Sequence, residues 1–367
     1  MSVPEFSQLL AACKSWGDCL VLKQHGNGHI NHTLYGVFQG PGGLKKVILQ
    51  QVNTKIFKNP RALMENISRV TAHIQKKVEE AGGDASREAL HLLPFDSGEV
   101  FWEEGGRFWR AYDFIDNTLC LDLAENPEEF AACGAAFGKF QRQLSDFDAA
   151  SLHETLPDFH NTKKRLQDFQ MALDQDLAGR RKRVEGEIDF ILSRERYADY
   201  FPRERERGMP LRVTHNDTKL NNVLLDAVTK KAVCIIDLDT VMPGFAAHDF
   251  GDSIRFGAST ALEDERDLHK VSCSMELFRA YAKGFIAGCQ GGLTKAELAA
   301  MPMGAIVMTY ECGMRFLADY LEGDIYFKTS RPEHNLDRAR TQLKLVEDME
   351  AKMERMQEGI RQILGEE

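Results

Sequence analysis

The sequence lacks the patterns that mark zinc-binding, membrane-spanning and secreted proteins. Its eight cysteines are scattered and none forms a Cys-x-x-Cys pair, so this type of zinc framework is absent from the sequence. No stretch approaches the roughly 18 uncharged apolar residues that a membrane helix needs. The first residues also lack the basic and apolar segments of a secretory signal. We therefore expect a cytoplasmic protein that has no membrane partner.

The sequence also carries fewer positive than negative side chains. The chain of 367 residues carries 46 Lys and Arg against 56 Asp and Glu, which gives a formal net charge of −10. Because binding to nucleic-acid phosphates requires surplus positive charge, we expect no nucleic-acid partner. The length and the 43% hydrophobic content are typical of an ordinary globular protein with about two domains.

The first third of the sequence predicts β-structure around one helix. Apolar residues at helical spacing predict this helix over residues 59–80. The β-prone runs lie at residues 19–24, 33–39, 46–52, 90–95, 100–103 and 108–115.

After residue 116 the pattern becomes helical. Helices are predicted over residues 126–144, 160–175, 184–196 and 332–364, with another that begins at a capping box over residues 294–297. The alternating charges of residues 203–207 indicate a solvated connector. We therefore predict an α+β fold with a β-rich N-terminal lobe, residues 1–116, and a mostly helical C-terminal lobe, residues 117–367.

The densest chemical motif is a His-x-Asp sequence followed by four residues and an asparagine. It contains Asp217 and Asn222, and an apolar run that ends in Asp237 follows. Phosphoryl transfer from ATP needs one carboxylate to orient the attacking hydroxyl and accept its proton. It also needs oxygen ligands for Mg²⁺. The spacing predicts Asp217 as the base and Asn222 and Asp237 as the metal ligands.

Three residues near this motif need separate interpretations. Lys219 follows the predicted base by two positions and is placed to reach the transferred phosphate. Asp239 is either a ligand of a second metal ion or a solvated acid. Asp249 begins an Asp-Phe-Gly sequence like the metal-binding tripeptide of protein kinases, but it lies too far beyond Asp217. We expect Asp249 instead to accept hydrogen bonds from backbone amides of the catalytic loop.

The nucleotide is expected to bind between the two lobes. Gly26 and Gly28 lie between the first two predicted strands, where backbone N–H groups can cover phosphates. The adenine edge is expected to meet backbone groups near Asp113 and Ile115. Protein kinases carry a phosphate-binding lysine on their third strand, and Gln50 occupies that position here. Another cation must therefore neutralise the charge of the nucleotide phosphates. The sequence contains no Gly-x4-Gly-Lys-Ser/Thr motif, which excludes a P-loop.

Taken together, these motifs resemble the aminoglycoside phosphotransferase and choline kinase family of small-molecule kinases. The resembling blocks include residues 213–222, 235–240, 249–263 and 311–327. Within that family the likeness is strongest to members that phosphorylate N-acetylhexosamines. The resemblance implies a bilobal protein-kinase-like fold. It also implies ATP- and Mg²⁺-dependent phosphorylation of the anomeric C1 hydroxyl of N-acetylglucosamine and N-acetylgalactosamine.

The resemblance further implies a sugar site formed by His29, Asp217, Arg315 and Tyr326. Polar side chains beside an aromatic ring are the groups that a sugar calls for, and Arg315 and Asp319 share one helix face. A simple surface ion pair between Arg315 and Asp319 is the alternative. For the whole chain, the alternatives are a choline, homoserine or aminoglycoside kinase, and a non-catalytic nucleotide-binding module.

Overall fold

The N-terminal part of the chain forms one antiparallel sheet with the strand order β1-β2-β3-β5-β4. Its strands are β1 (Asp18–Gln24), β2 (His32–Gly40), β3 (Gly43–Val52), β4 (Phe101–Glu104) and β5 (Arg107–Asp113). They are seen in a computed structural model that describes residues 6–26 and 30–365. Gly105 and Gly106 form the turn between β4 and β5 with φ of 59° and 76°. This left-handed conformation is the one that a two-residue hairpin turn requires.

One long helix, α2 (Pro60–Glu80), packs against this sheet, while α1 (Ser7–Ala11) and α3 (Ala85–Glu88) are short. The helix begins where predicted, because the Asn59 side chain accepts a hydrogen bond from the Ala62 N–H and Pro60 occupies the first turn. The predicted strand over residues 90–95 is wrong. Only an isolated bridge between Leu92 and Tyr112 forms there, since Pro94 has no N–H to donate to a ladder.

The C-terminal part consists mainly of helices, with short strands around the predicted catalytic loop, residues 215–222. The strands form a β6-β8-β9 sheet and a β10-β7 pair. The helices are α4 (Pro127–Gln143), α5 (Thr162–Gln175), α6 (Glu185–Leu192), α7 (Tyr200–Glu206), α8 (Ala246–Gly257), α9 (Met275–Cys289), α10 (Lys295–Glu322), α11 (His334–Ala351) and α12 (Met353–Leu364). The strands are β6 (Thr118–Leu119), β7 (Arg212–Thr214), β8 (Val223–Asp226), β9 (Ala232–Ile235) and β10 (Met242–Gly244).

Two predictions for this part, a connector and a single long helix, are wrong, and the predicted capping box is confirmed. The charged run 203–207 is not a connector, because residues 203–206 complete α7. The long C-terminal helix predicted over residues 332–364 is divided at Lys352, whose ammonium group donates to the Cys273 carbonyl at 2.9 Å. This break lets Met356 and Ile360 of α12 become buried. The capping box that begins α10 forms as predicted.

A hydrophobic cluster joins the N-terminal sheet and helix to the catalytic strands. It includes Ile67 of α2 and Phe108 of β5, together with Val213, Cys234 and Leu238 from the C-terminal part. The predicted fold class is confirmed, since a β-sheet N-terminal region precedes a helical C-terminal part. The lobe boundary at residue 116 stays a prediction. Over residues 6–26 and 30–365, every helix is too short or too polar to cross a membrane.

Candidate active site

The predicted catalytic loop between β7 and β8 is fixed to helix α8 by hydrogen bonds to Asp249. The Asp249 carboxylate accepts hydrogen bonds from the backbone N–H groups of His215 at 2.9 Å and Asn216 at 2.8 Å. It also accepts one from the Gln141 side chain at 2.9 Å. Burial raises the pKa of Asp249 although these hydrogen bonds favour its charged form. The structural role predicted for Asp249 is thus confirmed.

A second acid on α8 holds the other side of the loop. Asp252 accepts a hydrogen bond from the Thr218 N–H at 3.1 Å, and the Arg255 guanidinium lies 3.0 Å from the same carboxylate. Thr218 in turn donates its hydroxyl to the Asp249 carbonyl at 2.6 Å. No role was predicted for Asp252, although it lies inside a block that carries the family resemblance. The residues on both sides of Asp217 are therefore fixed to one rigid helix.

Asp217, Lys219 and Asn222 lie together at the end of this loop. The Asn222 amide donates to the Asp217 carbonyl at 2.8 Å and to its Oδ2 at 3.2 Å. Lys219 Nζ lies 2.8 Å from Asp217 Oδ1. Burial lowers the pKa of Lys219, but the charge of Asp217 outweighs this effect and the pKa is raised. The ammonium group is therefore charged beside the predicted base.

Asp237 enters the same cleft because β8 and β9 form a hairpin. Val223 pairs with Ile235, so Asn222 and Asp237 leave their strands at the same edge. Asp237 reaches solvent at the cleft floor and has φ of 60°. Desolvation by the surrounding protein raises its pKa to about 6, and the charges of Asp239 and Asp217 add to the shift.

The oxygens at this edge fit a divalent cation. The Asn222 amide nitrogen is occupied by Asp217, which leaves its Oδ1 free to coordinate a cation. Across residues 6–26 and 30–365, no hydrogen-bond donor contacts the Asp237 carboxylate. Carboxylate and amide oxygens are ligands that Mg²⁺ prefers, and the mutual repulsion of neighbouring acids is what a bound cation relieves. Asn222 and Asp237 are therefore chemically suited to hold Mg²⁺.

Asp239 is neither solvated nor free. It is 4% exposed and forms an ion pair with Arg110 of β5. The Asn31 side chain donates to its other oxygen at 2.6 Å. Both Asp239 oxygens are thus engaged by residues of the N-terminal part. This arrangement overturns the interpretation of Asp239 as a solvated acid and disfavours it as a second metal ligand.

Arg110 is a buried cation that sequence reasoning missed. It pairs in register with Gln50 of β3, and Gln50 Oε1 accepts hydrogen bonds from Arg110 Nε at 3.0 Å and Nη2 at 2.9 Å. The guanidinium is fully buried. One signal was present in the sequence, since Arg110 is the single basic residue inside the predicted apolar strand 108–115. The strand thus carries a cation directly beside the position where the kinase template has its lysine.

The proposed nucleotide-contacting residues lie at two places. Gly26 is in the loop after β1 with φ of 70°, whereas Gly28 lies outside the described residues, as does His29 of the predicted sugar site. β5 ends at Asp113, two residues earlier than predicted, and the Asp113 N–H donates to the His91 carbonyl at 3.1 Å. In the described ranges the N–H of buried Ile115 has no hydrogen-bond partner. Of these backbone donors, Ile115 N–H therefore retains the capacity to bind adenine.

Arg315 and Tyr326 lie next to each other, as the resemblance implies. The Arg315 guanidinium is 5.9 Å from the centroid of the Tyr326 ring and 5.4 Å from that of Phe327. Within residues 6–26 and 30–365, Arg315 makes no ion pair. The alternative of a surface ion pair with Asp319 is wrong, because Asp319 is buried and binds backbone N–H groups instead.

Comparisons with known proteins agree with this architecture. The sequence model described as the phosphotransferase enzyme family (APH) matches residues 87–280. An aminoglycoside phosphotransferase from Alicyclobacillus acidocaldarius subsp. acidocaldarius DSM 446 is 15% identical, with a TM-score of 0.58 and coverage of 96% of both chains. A choline kinase from Cryptosporidium parvum Iowa II is 13% identical, with a TM-score of 0.57 and coverage of 98% of both chains.

A third similar structure is the spectinomycin phosphotransferase APH(9)-Ia, solved with ADP and spectinomycin. It is 14% identical, with a TM-score of 0.53, and the alignment covers 94% of this chain and 99% of that chain. At such low identities the three structures establish a common fold and leave the acceptor open.

Proposed function

The chain belongs to the phosphotransferase enzyme family, and on that premise we propose that it is an N-acetylhexosamine 1-kinase. It transfers the γ-phosphoryl group of ATP to the anomeric C1 hydroxyl of N-acetylglucosamine or N-acetylgalactosamine. The phosphotransferase assignment follows from the family, whereas the acceptor is argued from the charges around Arg315.

The observation that supports a neutral acceptor is that carboxylates near Arg315 already have protein partners. Glu311 is bound by His160 and Thr162, and Asp252 and Glu263 are bound by Arg255. Asp319 is likewise satisfied by backbone N–H groups.

A cationic acceptor such as choline or an aminoglycoside calls for free carboxylates or an aromatic cage. This region offers instead the Arg315 guanidinium, which has no ion-pair partner among the described residues, beside Tyr326, which is 69% exposed. Guanidinium N–H groups donate to hydroxyl and amide oxygens, and an aromatic face packs against sugar C–H groups. The arrangement therefore favours a neutral acetamido sugar over an amine.

The chemistry follows from the loop geometry. Asp217 orients the C1 hydroxyl and accepts its proton while O1 forms a bond to the γ-phosphorus and the bond to the ADP oxygen breaks. Asn222 and Asp237 would hold Mg²⁺, which supplies neutralisation of phosphate charge. Lys219, 2.8 Å from Asp217, provides a second positive charge next to the transferred group.

The direct test is ADP release from Mg²⁺-ATP with a panel of acceptors. The panel contains N-acetylglucosamine, N-acetylgalactosamine, glucose, galactose, choline, ethanolamine, homoserine and an aminoglycoside. We expect turnover of the acetamido sugars, with the phosphate located on C1 by ³¹P and ¹H NMR. Turnover of an amine or of homoserine without turnover of sugars would contradict the proposed acceptor. ATP binding without turnover of any acceptor would indicate a non-catalytic module.

An Arg315→Ala variant tests the site itself. Because the guanidinium is proposed to contact only the acceptor, the variant should raise the acceptor KM about tenfold, the effect of losing about 1.4 kcal/mol of binding. The KM for ATP should stay unchanged. Arg266→Ala is the control, since the Arg266 guanidinium is 67% exposed and pairs with Asp337 of α11 instead. Equal changes in both KM values would remove Arg315 from the acceptor site.

A further inference from the structure

Three charged residues recur at four-residue intervals on α10. Glu311, Arg315 and Asp319 therefore lie on one face of the helix, with about 12 Å of helix axis between the first and the last. Arg315 is half-buried, whereas Glu311 and Asp319 are almost completely buried. The two acids thus flank the proposed acceptor-binding arginine from inside the protein.

Asp319 binds the segment that carries Tyr326. Its Oδ1 accepts hydrogen bonds from the N–H groups of Ile325 at 2.9 Å and Tyr326 at 2.7 Å. Its Oδ2 accepts from the Phe327 N–H at 2.9 Å and the Asn335 amide at 2.8 Å. An ionised carboxylate has about four acceptor positions, and all of them are used here.

Next to these hydrogen bonds, the segment is held by the ion pair of Asp324 with Arg180 and by Arg338, which donates to the Lys328 carbonyl at 3.2 Å. The side chains of Ile325 and Tyr326 are 74% and 69% exposed. Side-chain packing therefore contributes little at these two positions, and the backbone hydrogen bonds to Asp319 determine where the Tyr326 ring lies. Phe327 adds two ring contacts, with centroid distances of 4.6 Å to Phe316 on α10 and 4.8 Å to Tyr326.

Glu311 makes the corresponding contact toward the catalytic loop. Its Oε1 lies 2.9 Å from His160 Nδ1, and its Oε2 accepts the Thr162 hydroxyl hydrogen bond at 2.7 Å. The other ring nitrogen of His160 lies 3.2 Å from the carbonyl oxygen of Asn216, the residue before Asp217. One helix face is therefore linked to two loops. Glu311 reaches the loop of the proposed base through His160, and Asp319 binds the segment that carries Tyr326 directly.

We propose that Glu311 and Asp319 are positioning residues. Together they hold the segment that carries Tyr326, residues 325–327, and the predicted catalytic loop at a set distance along α10. The inference rests on the proposed function only in taking Arg315 and Tyr326 as acceptor contacts. Asp319 determines acceptor affinity by holding the Tyr326 segment. Glu311 determines the rate of transfer by holding, through His160, the backbone next to Asp217.

Asp319→Asn is the main test. An asparagine keeps one acceptor oxygen and turns an NH₂ group toward backbone N–H donors, so at least two of the four hydrogen bonds are lost. We expect the acceptor KM to rise about tenfold, with the KM for ATP unchanged. Hydrogen exchange of the amides of residues 325–327, measured by mass spectrometry, should become faster. Glu311→Gln should instead lower kcat with the acceptor KM nearly unchanged.

Asp324→Asn is the matched control. Asp324 shares the Asn335 partner at 3.0 Å and pairs with Arg180 at 2.6 Å, but it accepts no hydrogen bond from the N–H groups of residues 325–327. It should leave the acceptor KM near the wild-type value. If Asp319→Asn does not fold, Asp319→Glu replaces it, since the longer side chain displaces the segment while keeping the charge.

Two results would overturn the inference. One is an unchanged acceptor KM in Asp319→Asn despite faster amide exchange, and the other is an equal rise in the Asp324→Asn control. A failure of the proposed function is distinguishable, because it appears in the wild type as no sugar turnover. The same variants are then compared with whichever acceptor releases ADP.

Discussion

Replacing Arg110 with methionine should strongly destabilise the protein. The substitution removes the cation from Asp239, which is only 4% exposed, and the two hydrogen bonds that Gln50 accepts. Removing one partner of a buried ion pair typically costs about 3–5 kcal/mol, because the other charge is left buried and uncompensated. Methionine fills much of the same volume, so a cavity adds little to this cost. We therefore expect the free energy of unfolding to fall by about 3–5 kcal/mol.

A double-mutant cycle isolates the ion pair from its surroundings. Arg110→Met, Asp239→Asn and the double variant are compared by denaturant unfolding, followed by circular dichroism and by the fluorescence of Trp109, the buried neighbour of Arg110. We expect the destabilisation of the double variant to be about 1–3 kcal/mol smaller than the sum of the two single destabilisations. Arg61→Met is the control, since its ion pair with Glu103 is exposed and should be worth less than about 1 kcal/mol.

The reasoning fails if Arg110→Met is no more destabilising than Arg61→Met. It also fails if the effects of Arg110→Met and Asp239→Asn are additive, because independent contributions would mean that the two charges do not depend on each other. Since the pair joins β5 to the segment after β9, a large coupling energy would identify it as an energetic link between the N-terminal sheet and the catalytic strands.

Two further predictions concern the catalytic loop. Asp217→Asn should reduce kcat by a factor of about 10² or more with nucleotide affinity, measured by calorimetry with ADP, nearly intact; wild-type-like turnover would remove Asp217 from the role of base. Burial lowers the pKa of His160, but its hydrogen bond to Glu311 outweighs this and the pKa is raised, while the same contact lowers the pKa of Glu311. The stability that the pair contributes should therefore be greatest between about pH 4.3 and 6.5 and should be lost as the pH rises through the folded pKa of His160. Thermal unfolding of the wild type and of a His160→Gln/Glu311→Gln variant between pH 5 and 9 measures it, and a constant difference in stability would contradict an ionised pair.

The catalytic loop could be predicted from the sequence because its contacts are local. Asp217 and Asn222 are five residues apart in one loop, and Asp237 is brought back by a hairpin whose two strands are both apolar. The role of Asp249 was also predicted, because it lies too far beyond Asp217 to be the metal ligand, but helix α8, which brings it to the loop, was not predicted.

Arg110 and His160 could not be assigned from the sequence because their partners are distant. The Arg110 contacts require β5 to pair with β3 as well as with its sequence neighbour β4. They also require Asp239 to approach from the C-terminal part of the chain. His160 lies in a segment before α5, and only the packing of α10 brings Glu311 to it. Patterns of hydrophobicity specify which face of a strand or helix is buried, but they do not specify which charged groups meet there.

The charges in the cleft lead to one further conclusion about the proposed metal site. Three acids, Asp217, Asp237 and Asp239, lie near one another, and after desolvation the charges of Asp239 and Asp217 contribute to the raised pKa of Asp237. Asp217 has Lys219 beside it, and Asp239 has Arg110. In the part of the chain that the structure describes, Asp237 is the member of this trio without an ion-pair partner.

A carboxylate in such surroundings is costly to ionise unless a cation compensates it. Among the described residues, fixed cations pair with two of the three acids and none pairs with Asp237, which follows the hairpin next to Asn222. This distribution of charges suits a site in which the third positive charge is a cation bound from solution. It supports Asp237 rather than Asp239 as the acid that binds Mg²⁺.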